Sequence, residues 1–316
     1  MIKNTITNIS IFGAGKMGTG IGLLFATKGF DVTLLAYDEA EIKTAEAAIS
    51  NNLDLLVQNE IITAANKESA LKHIFITTDF EKAAKSADLG IECIVENLEI
   101  KQDYFKKLDE ICDPDVILCT NTSAISITEI AKKSKHKERI VGTHFWNPPF
   151  LIPLVEVVRT VHVKDEIIEK TCEILRLAGK KPIVVKKDVP GFIANRMQNA
   201  LGREAVSIVA NGIADPKDVD DAVKYSFGMR LGTIGPIEQI DSIGADLCLS
   251  ISSYIYKYLE NSTEPSPTLV QKVEQGELGF KTNGKGFFTW SEEQMKEYND
   301  NMITNLIKVG KALNRF

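Results

Sequence analysis

The run Ile6 to Phe12 ends directly in Gly13-Ala14-Gly15-Lys16-Met17-Gly18, and this junction restricts the fold more than any other stretch. The run before it is short and rich in β-branched residues, so it reads as a buried strand. The run after it is apolar to about Lys28 and reads as a helix, with a second strand at Val32 to Ala36. Strand, glycine loop, helix, strand is the opening of a parallel α/β unit. In such a loop Gly13 permits the tight turn, Gly15 lets a pyrophosphate approach the backbone, and Gly18 lets helix and strand pack closely. Ala14, Lys16 and Met17 complete the turn, whose helix end presents free amides and a favourable dipole to phosphates. The alternative is a glycine turn that holds no ligand.

A second feature lies in the middle of the chain. Ile140 to Phe145 and Leu154 to Val158 read as strands flanking a turn at Asn147-Pro148-Pro149. The first carries His144 near its end, and the second sets Glu156 in an otherwise apolar Leu-Val-Glu-Val-Val. A carboxylate there is costly unless a partner compensates it, and an imidazole is a natural partner. Paired, Glu156 fixes the ring and stabilises the imidazolium, so His144 can take a proton near neutral pH. The same residues also read as a core histidine beside an edge-strand glutamate.

His-Phe-Trp-Asn-Pro-Pro followed by Leu-Val-Glu-Val-Val resembles the L-3-hydroxyacyl-CoA dehydrogenases and their relatives, and the resemblance covers nearly the whole chain. It implies that His144 is the acid/base of hydride transfer and that Glu156 orients it. Glu96 and Lys101 would lie near the nicotinamide end of the cofactor, with Asn121 and Asn147 as further cofactor contacts. Ser123 matches the family serine that bonds the substrate oxygen. Asn195, in Gly191-Phe-Ile-Ala-Asn-Arg, matches the asparagine that helps polarise the substrate carbonyl. Without the resemblance these positions read as a charged first turn, a helix cap and an ordinary helix residue.

The acid expected to bond the adenosine ribose departs from the pattern. Counting from Gly13, its usual place is Ala36, and Asp38 lies two residues on. A strand lengthened by two residues keeps the same face, so Asp38 is expected to serve. Asp38-Glu-Ala-Glu41 also fits a capping box, and the two roles are compatible. No lysine or arginine follows at once for a 2′-phosphate, so NAD is expected rather than NADP. The helix from about Glu39 to Glu60 departs too. Acyl-CoA members place lysines in its last turns, whereas this chain has Asn52, Gln58, Asn59 and Glu60, with Asn52 and Asn59 as candidate substrate contacts. Between Glu39 and Asn66 five acids stand against one base, a net of −4, which is a poor seat for a polyanion.

Further strands are expected at Ile74 to Thr77, Leu89 to Val95, Val116 to Thr120 and Lys181 to Val185, with a helix from about Asp165 to Ala178. Lys186 to Gly191 breaks the pattern, and beyond it the strand signals stop. Phe192 to Asn211, Pro216 to Phe227, Ile243 to Leu259 and Glu292 to Leu313 all read as helices. The fold class is therefore α/β: a Rossmann-like, doubly wound, mostly parallel sheet over 1–187, and an all-helical substrate and dimerisation domain over 188–316. Gly279 to Phe288 resembles the terminal glycine-lysine loop of hydroxybutyryl-CoA members, with Asn283 as an extra residue.

The 316 residues carry a net charge of −6, which argues against a nucleic-acid surface and an anionic membrane. The N-terminus lacks the pattern of a signal peptide, and no segment approaches a membrane span. Five scattered cysteines suggest free thiols in a reducing cytoplasm, with no metal site or disulfide framework. The leading expectation is hydride transfer between NAD and C3 of a short 3-hydroxyacyl group, most simply a 3-hydroxybutyryl-CoA type substrate of fatty acid metabolism, by a homodimer joined through the helical domain. Asn-Pro-Pro followed by Leu-Ile-Pro also resembles relatives acting on gulonate, carnitine or a pyridine derivative of vitamin B6 breakdown, which need no CoA. A third possibility is a non-catalytic NAD-binding structural protein, against which the set His144, Glu156, Ser123 and Asn195 counts.

Overall fold

The computed structural model describes residues 6–316. Two compact units divide the chain: one ends at Arg196 and the other covers Met197–Arg315.

The first unit is built on eight strands: β1 Asn8–Phe12, β2 Asp31–Leu35, β3 Ile74–Thr77, β4 Leu89–Glu92, β5 Ile117–Thr120, β6 Ile140–Phe145, β7 Leu154–Val158 and β8 Lys181–Val185. They form one sheet in the order β3-β2-β1-β4-β5-β6-β7-β8. All pairs are parallel except β6 with β7. Helices α1 Lys16–Ala26, α2 Glu39–Gln58, α3 Ala64–Lys72, α4 Phe80–Ser86, α5 Leu98–Ile111, α6 Ile127–Ile130 and α7 Asp165–Leu177 connect them. Strands covered on both faces need apolar side chains throughout, and β4, β5 and β6 are buried at every position. Phe12, Phe105, Leu118, Ile127, Ile140 and Phe192 belong to one core cluster, and burial of each such side chain contributes about 1.5–3 kcal/mol. The strand order reverses between β1 and β4. In open α/β sheets this switch point is where a crevice forms beyond the strands' carboxyl ends.

Several elements differ from expectation, each for a local reason. β2 stops at Leu35 and is not lengthened toward Asp38, because the Asp38 side chain accepts from the Glu41 amide and starts α2 as its N-cap. β4 ends at Glu92 rather than Val95, since the Glu92 carboxylate takes the Ile94 amide two residues on and turns the chain. The short helices α3 and α4 lie between the expected strands, each started by a capping side chain, Thr63 or Asp79.

The second unit is helical. α8 Ala194–Ala210 begins just before the division, and α9 Pro216–Lys224, α10 Phe227–Leu231, α11 Pro236–Ile243, α12 Ala245–Ile255, α13 Pro267–Glu274 and α14 Glu292–Ala312 follow. Proline at the first helical position begins α9, α11 and α13, where its missing N–H costs nothing. The helix expected from Ile243 is split from α11 by Gly244, whose φ of 94° suits glycine. None of α8 to α13 contains a fully buried residue. Ile213, Tyr225, Met229, Ile237, Leu249 and Tyr254 are each more than two-thirds exposed. That is far more apolar surface than a closed helical unit leaves in water.

Candidate active site

The glycine loop joins β1 to α1, and two of its glycines are required by backbone contacts. A Cβ at Gly13, whose φ is 119°, would lie 2.8 Å from the Cys93 carbonyl oxygen, and one at Gly18 would lie 1.8 Å from that of Gly13. Gly15 is different. A Cβ there would meet no protein atom within 4 Å, so nothing in the chain demands a glycine at that point. Gly15 is also the N-cap of α1 and gives its first turn no side-chain cap, and that turn holds no acid. Open space above uncapped amides fits a diphosphate. Ala14 is buried within the loop, while Lys16 is exposed. Asp38 is exposed while it caps α2, beside Tyr37, which is 91% exposed.

Glu96 and Lys101 form part of a network the sequence did not reveal. Lys101 is turned inward and fully buried, 2.6 Å from Glu92 and 3.3 Å from Glu96. Glu92, also fully buried, accepts from Lys101, from the Thr120 hydroxyl at 2.7 Å and from the Ile94 amide. Burial pushes the Glu92 carboxyl above its ordinary range, against the pull of Lys101 and these bonds. Glu96 accepts from the Thr122 hydroxyl at 2.5 Å and from the amides of Ser123 and Ala124. Burial would raise its carboxyl, but Thr122, Lys101 and the Ser123 amide outweigh it and hold it low. The network thus fixes the loop after β5, and with it Ser123. Asn195 fastens the same loop by donating its side-chain amide to the Ser123 carbonyl at 2.9 Å. Asn121 ties this strand end to the next by accepting from the Phe145 amide at 2.9 Å. Glu92 was legible by the logic applied to Glu156, a carboxylate inside the apolar run Leu-Gly-Ile-Glu-Cys-Ile-Val.

His144 and Glu156 meet as the sequence suggested. They are directly opposite in the antiparallel β6–β7 register, with His144 Nδ1 2.8 Å from Glu156 Oε2. Both are buried. The second carboxylate oxygen accepts from the amides of Ile193 at 2.9 Å and Ala194 at 3.0 Å. Burial alone would raise the Glu156 carboxyl, but the bond from His144 and these two amides overcome it and hold it below the usual range. An ionised Glu156 makes His144 Nδ1 the donor, which leaves Nε2 able to take or give a proton. The ring is also packed between aromatics, with centroids 5.3 Å from Trp146 and 5.6 Å from Phe192. Phe192 is held at φ 50°, a strained region for a bulky side chain, directly after Gly191 at φ 74°. Trp146 Nε1 lies 3.4 Å from Glu156 Oε2. Asn147 opens the turn that follows, joined to Pro148 by a cis peptide.

His144, Ser123, Glu96 and Asn195 therefore gather at the carboxyl edge of β4, β5 and β6, beyond which the glycine loop opens from β1. Asn52 lies within α2 and Asn59 at its end. Asn59 closes that helix, its amide donating to the Leu55 carbonyl at 2.9 Å, and Asp54 beside it pairs with Lys67. In the second unit the Gly279–Gly286 loop closes on itself, with the Gly284 backbone against the Trp290 carbonyl and exposed Lys281 and Lys285. All five cysteines are free. Among the described residues no helix is long and apolar enough to cross a membrane.

Comparison with known proteins gives a consistent result. The 3-hydroxyacyl-CoA dehydrogenase NAD binding domain family matches residues 8–189, and the C-terminal domain family of the same enzymes matches 191–290. A 5-formyl-3-hydroxy-2-methylpyridine 4-carboxylate 5-dehydrogenase of Mesorhizobium japonicum is 33% identical over 308 residues, 98% of each chain. The 3-hydroxybutyryl-CoA dehydrogenase of Clostridioides difficile is 35% identical over 90% of this chain and 99% of its own. Among solved structures, an NAD+-dependent dehydrogenase of the same pyridine carboxylate superimposes with a TM-score of 0.92 over 98% of this chain and 99% of its own, at 33% identity. The (S)-3-hydroxybutyryl-CoA dehydrogenase of Ralstonia eutropha gives 0.76 at 32% identity, over 91% of this chain and 100% of its own.

Proposed function

Because the chain belongs to the 3-hydroxyacyl-CoA dehydrogenase family, we propose that it transfers a hydride between NAD and the C3 hydroxyl or carbonyl carbon of a short-chain L-3-hydroxyacyl substrate, with CoA as the leading carrier. The observation that carries this reading is the buried His144–Glu156 pair at 2.8 Å. Bound NAD supplies the hydride acceptor or donor at its nicotinamide ring. In the oxidative direction His144 Nε2 takes the substrate's hydroxyl proton, and Glu156 stabilises the imidazolium so formed. Ser123, fixed from behind by Glu96, and Asn195 hold the reacting oxygen. Gly13, Gly15 and Gly18 seat the diphosphate, and Asp38 keeps an exposed carboxylate for the ribose.

A second reading keeps this machinery for a small free acid without CoA. Two observations favour it. The last turns of α2 offer Gln58, Asn59 and Glu60 where a CoA phosphate calls for cations. The superposition on the pyridine carboxylate dehydrogenase also extends over 98% of this chain. NADH oxidation measured against acetoacetyl-CoA and a panel of small oxo acids and aldehydes separates the two. Turnover of acetoacetyl-CoA at millimolar concentration supports the first; its absence beside turnover of a small carbonyl compound supports the second.

The molecule is also proposed to be a cytoplasmic homodimer joined through residues 188–316. The apolar side chains left in water on α10, α11 and α12 support this, since a second copy is the simplest cover for them. Light scattering of the purified chain tests it.

A further inference from the structure

Most buried charges of the first unit have opposite charges beside them: Lys101 meets Glu92, and Arg139 meets Asp109 at 2.8 Å. Lys180 differs. Its side chain is buried, and Nζ donates to two main-chain carbonyls, Pro149 at 2.5 Å and Ile152 at 2.9 Å. Among the described residues no carboxylate pairs with it, and Lys28, after α1, adds repulsion. Burial first and Lys28 second push its pKa down to about 7. A lysine buried without a carboxylate partner is costly to the fold, and its burial calls for a reason.

Both acceptors lie on the loop 146–153 that joins β6 to β7, and the Lys181 amide bonds the same loop at the Pro153 carbonyl. The loop begins with Trp146, which packs on the His144 ring and points Nε1 at Glu156. Its middle lies against the dinucleotide helix: a Cβ at Gly20 of α1 would come within 2.6 Å of Pro149 Cγ. One loop therefore touches the acid/base pair and the cofactor helix, and the Lys180 side chain holds it from behind. We propose that Lys180 is a positioning residue for proton transfer, its Nζ holding loop 146–153 through two carbonyls so that Trp146 is set against His144 and Glu156. The inference rests on the reading of His144 as the proton-transfer group.

The test uses Lys180→Met, which keeps the apolar stem and removes the donors. kcat is expected to fall roughly tenfold or more, with KM and NADH affinity changed less than about threefold. In a Trp146→Phe background the same substitution is expected to cost less than about threefold, because the route through Trp146 is already gone. No loss in the first background, or an equal loss in both, would overturn the proposal. A second readout needs no substrate. The chain has two tryptophans, so in a Trp290→Phe background acrylamide quenching reports Trp146 alone, and Lys180→Met should increase it. Unchanged quenching would also overturn the proposal. If Lys180→Met does not fold, Lys180→Gln carries the same measurements. If the unmodified protein turns over no candidate substrate, the functional reading fails, and the quenching result still decides whether Lys180 holds the loop.

Discussion

Glu92 and Glu156 are both fully buried carboxylates in strands of one sheet, each with a basic partner within 3 Å. They are solved differently. Glu92 faces a lysine sealed in with it, and burial pushes its carboxyl up despite that lysine. Glu156 faces an imidazole and two helix-end amides, whose bonds hold its carboxyl down. Lys101, sealed between Glu92 and Glu96, makes a brace that the bonds of Glu96 carry on to the Ser123 loop. An imidazole has a second nitrogen, so the same anchoring at Nδ1 leaves Nε2 open to a further partner. The lesson is that burial of a carboxylate does not by itself distinguish a brace from a proton-transfer pair; the chemistry of its partner does.

The sharpest way to break this contrast is to remove the imidazole. His144→Gln should lower kcat by roughly 10²- to 10⁴-fold with NADH binding near normal; stopped-flow turnover close to the unmodified rate would return His144 to the core. Lys101→Met addresses the brace. It leaves Glu92 buried without its cation, and chemical denaturation should record a loss of about 3–5 kcal/mol. The mirror case, Glu156→Gln, should lower kcat by a smaller factor, about tenfold to a hundredfold, and move the acid limb of the rate profile. It also changes the pH dependence of stability. The folded Glu156 carboxyl lies below its ordinary value, so its stabilisation is complete above the ordinary carboxylate range and is lost as pH falls through the folded value. Denaturation curves of Glu156→Gln should be flatter than those of the unmodified protein over that acidic window. The smallest effect is expected at an exposed acid. Asp38→Ala should weaken NADH binding by roughly tenfold while weakening NADPH less, since it also removes repulsion of a 2′-phosphate; equal binding of both cofactors by the unmodified protein would leave Asp38 as a helix cap only.

The contrast also explains what the sequence disclosed. His144 and Glu156 were legible together because two strands with a proline turn between them put residues in opposition, and period-2 alternation is a strong signal. Glu92 carried the same signature and was passed over, because its partner Lys101 sits nine residues on, on a helix whose first turn looked merely charged. Lys180 was invisible for a plainer reason: its partners are carbonyls, which no side-chain pattern reports. The sheet was readable almost strand by strand, with errors at ends where side chains bond the backbone, as Asp38 and Glu92 do. In the second unit the short helices α10, α11 and α13 were missed. Their apolar faces look into water rather than into a core, so periodicity gave no boundary to read.

The single antiparallel pairing of the sheet has a consequence for how such a chain can vary. Opposed residues on β6 and β7 share a face only while the count between them is kept, and Thr143↔Val157 stands one step away from His144↔Glu156. A deletion of one residue within β7 ahead of Glu156 would send its carboxylate to the other face of the sheet and bring an aliphatic side chain against the imidazole. The loops after the parallel strands impose no such parity, because their helices absorb added or lost residues before the next strand begins. Natural insertions and deletions should therefore collect in those connections and avoid the strands of the one hairpin, where inheritance must conserve a number as well as residues.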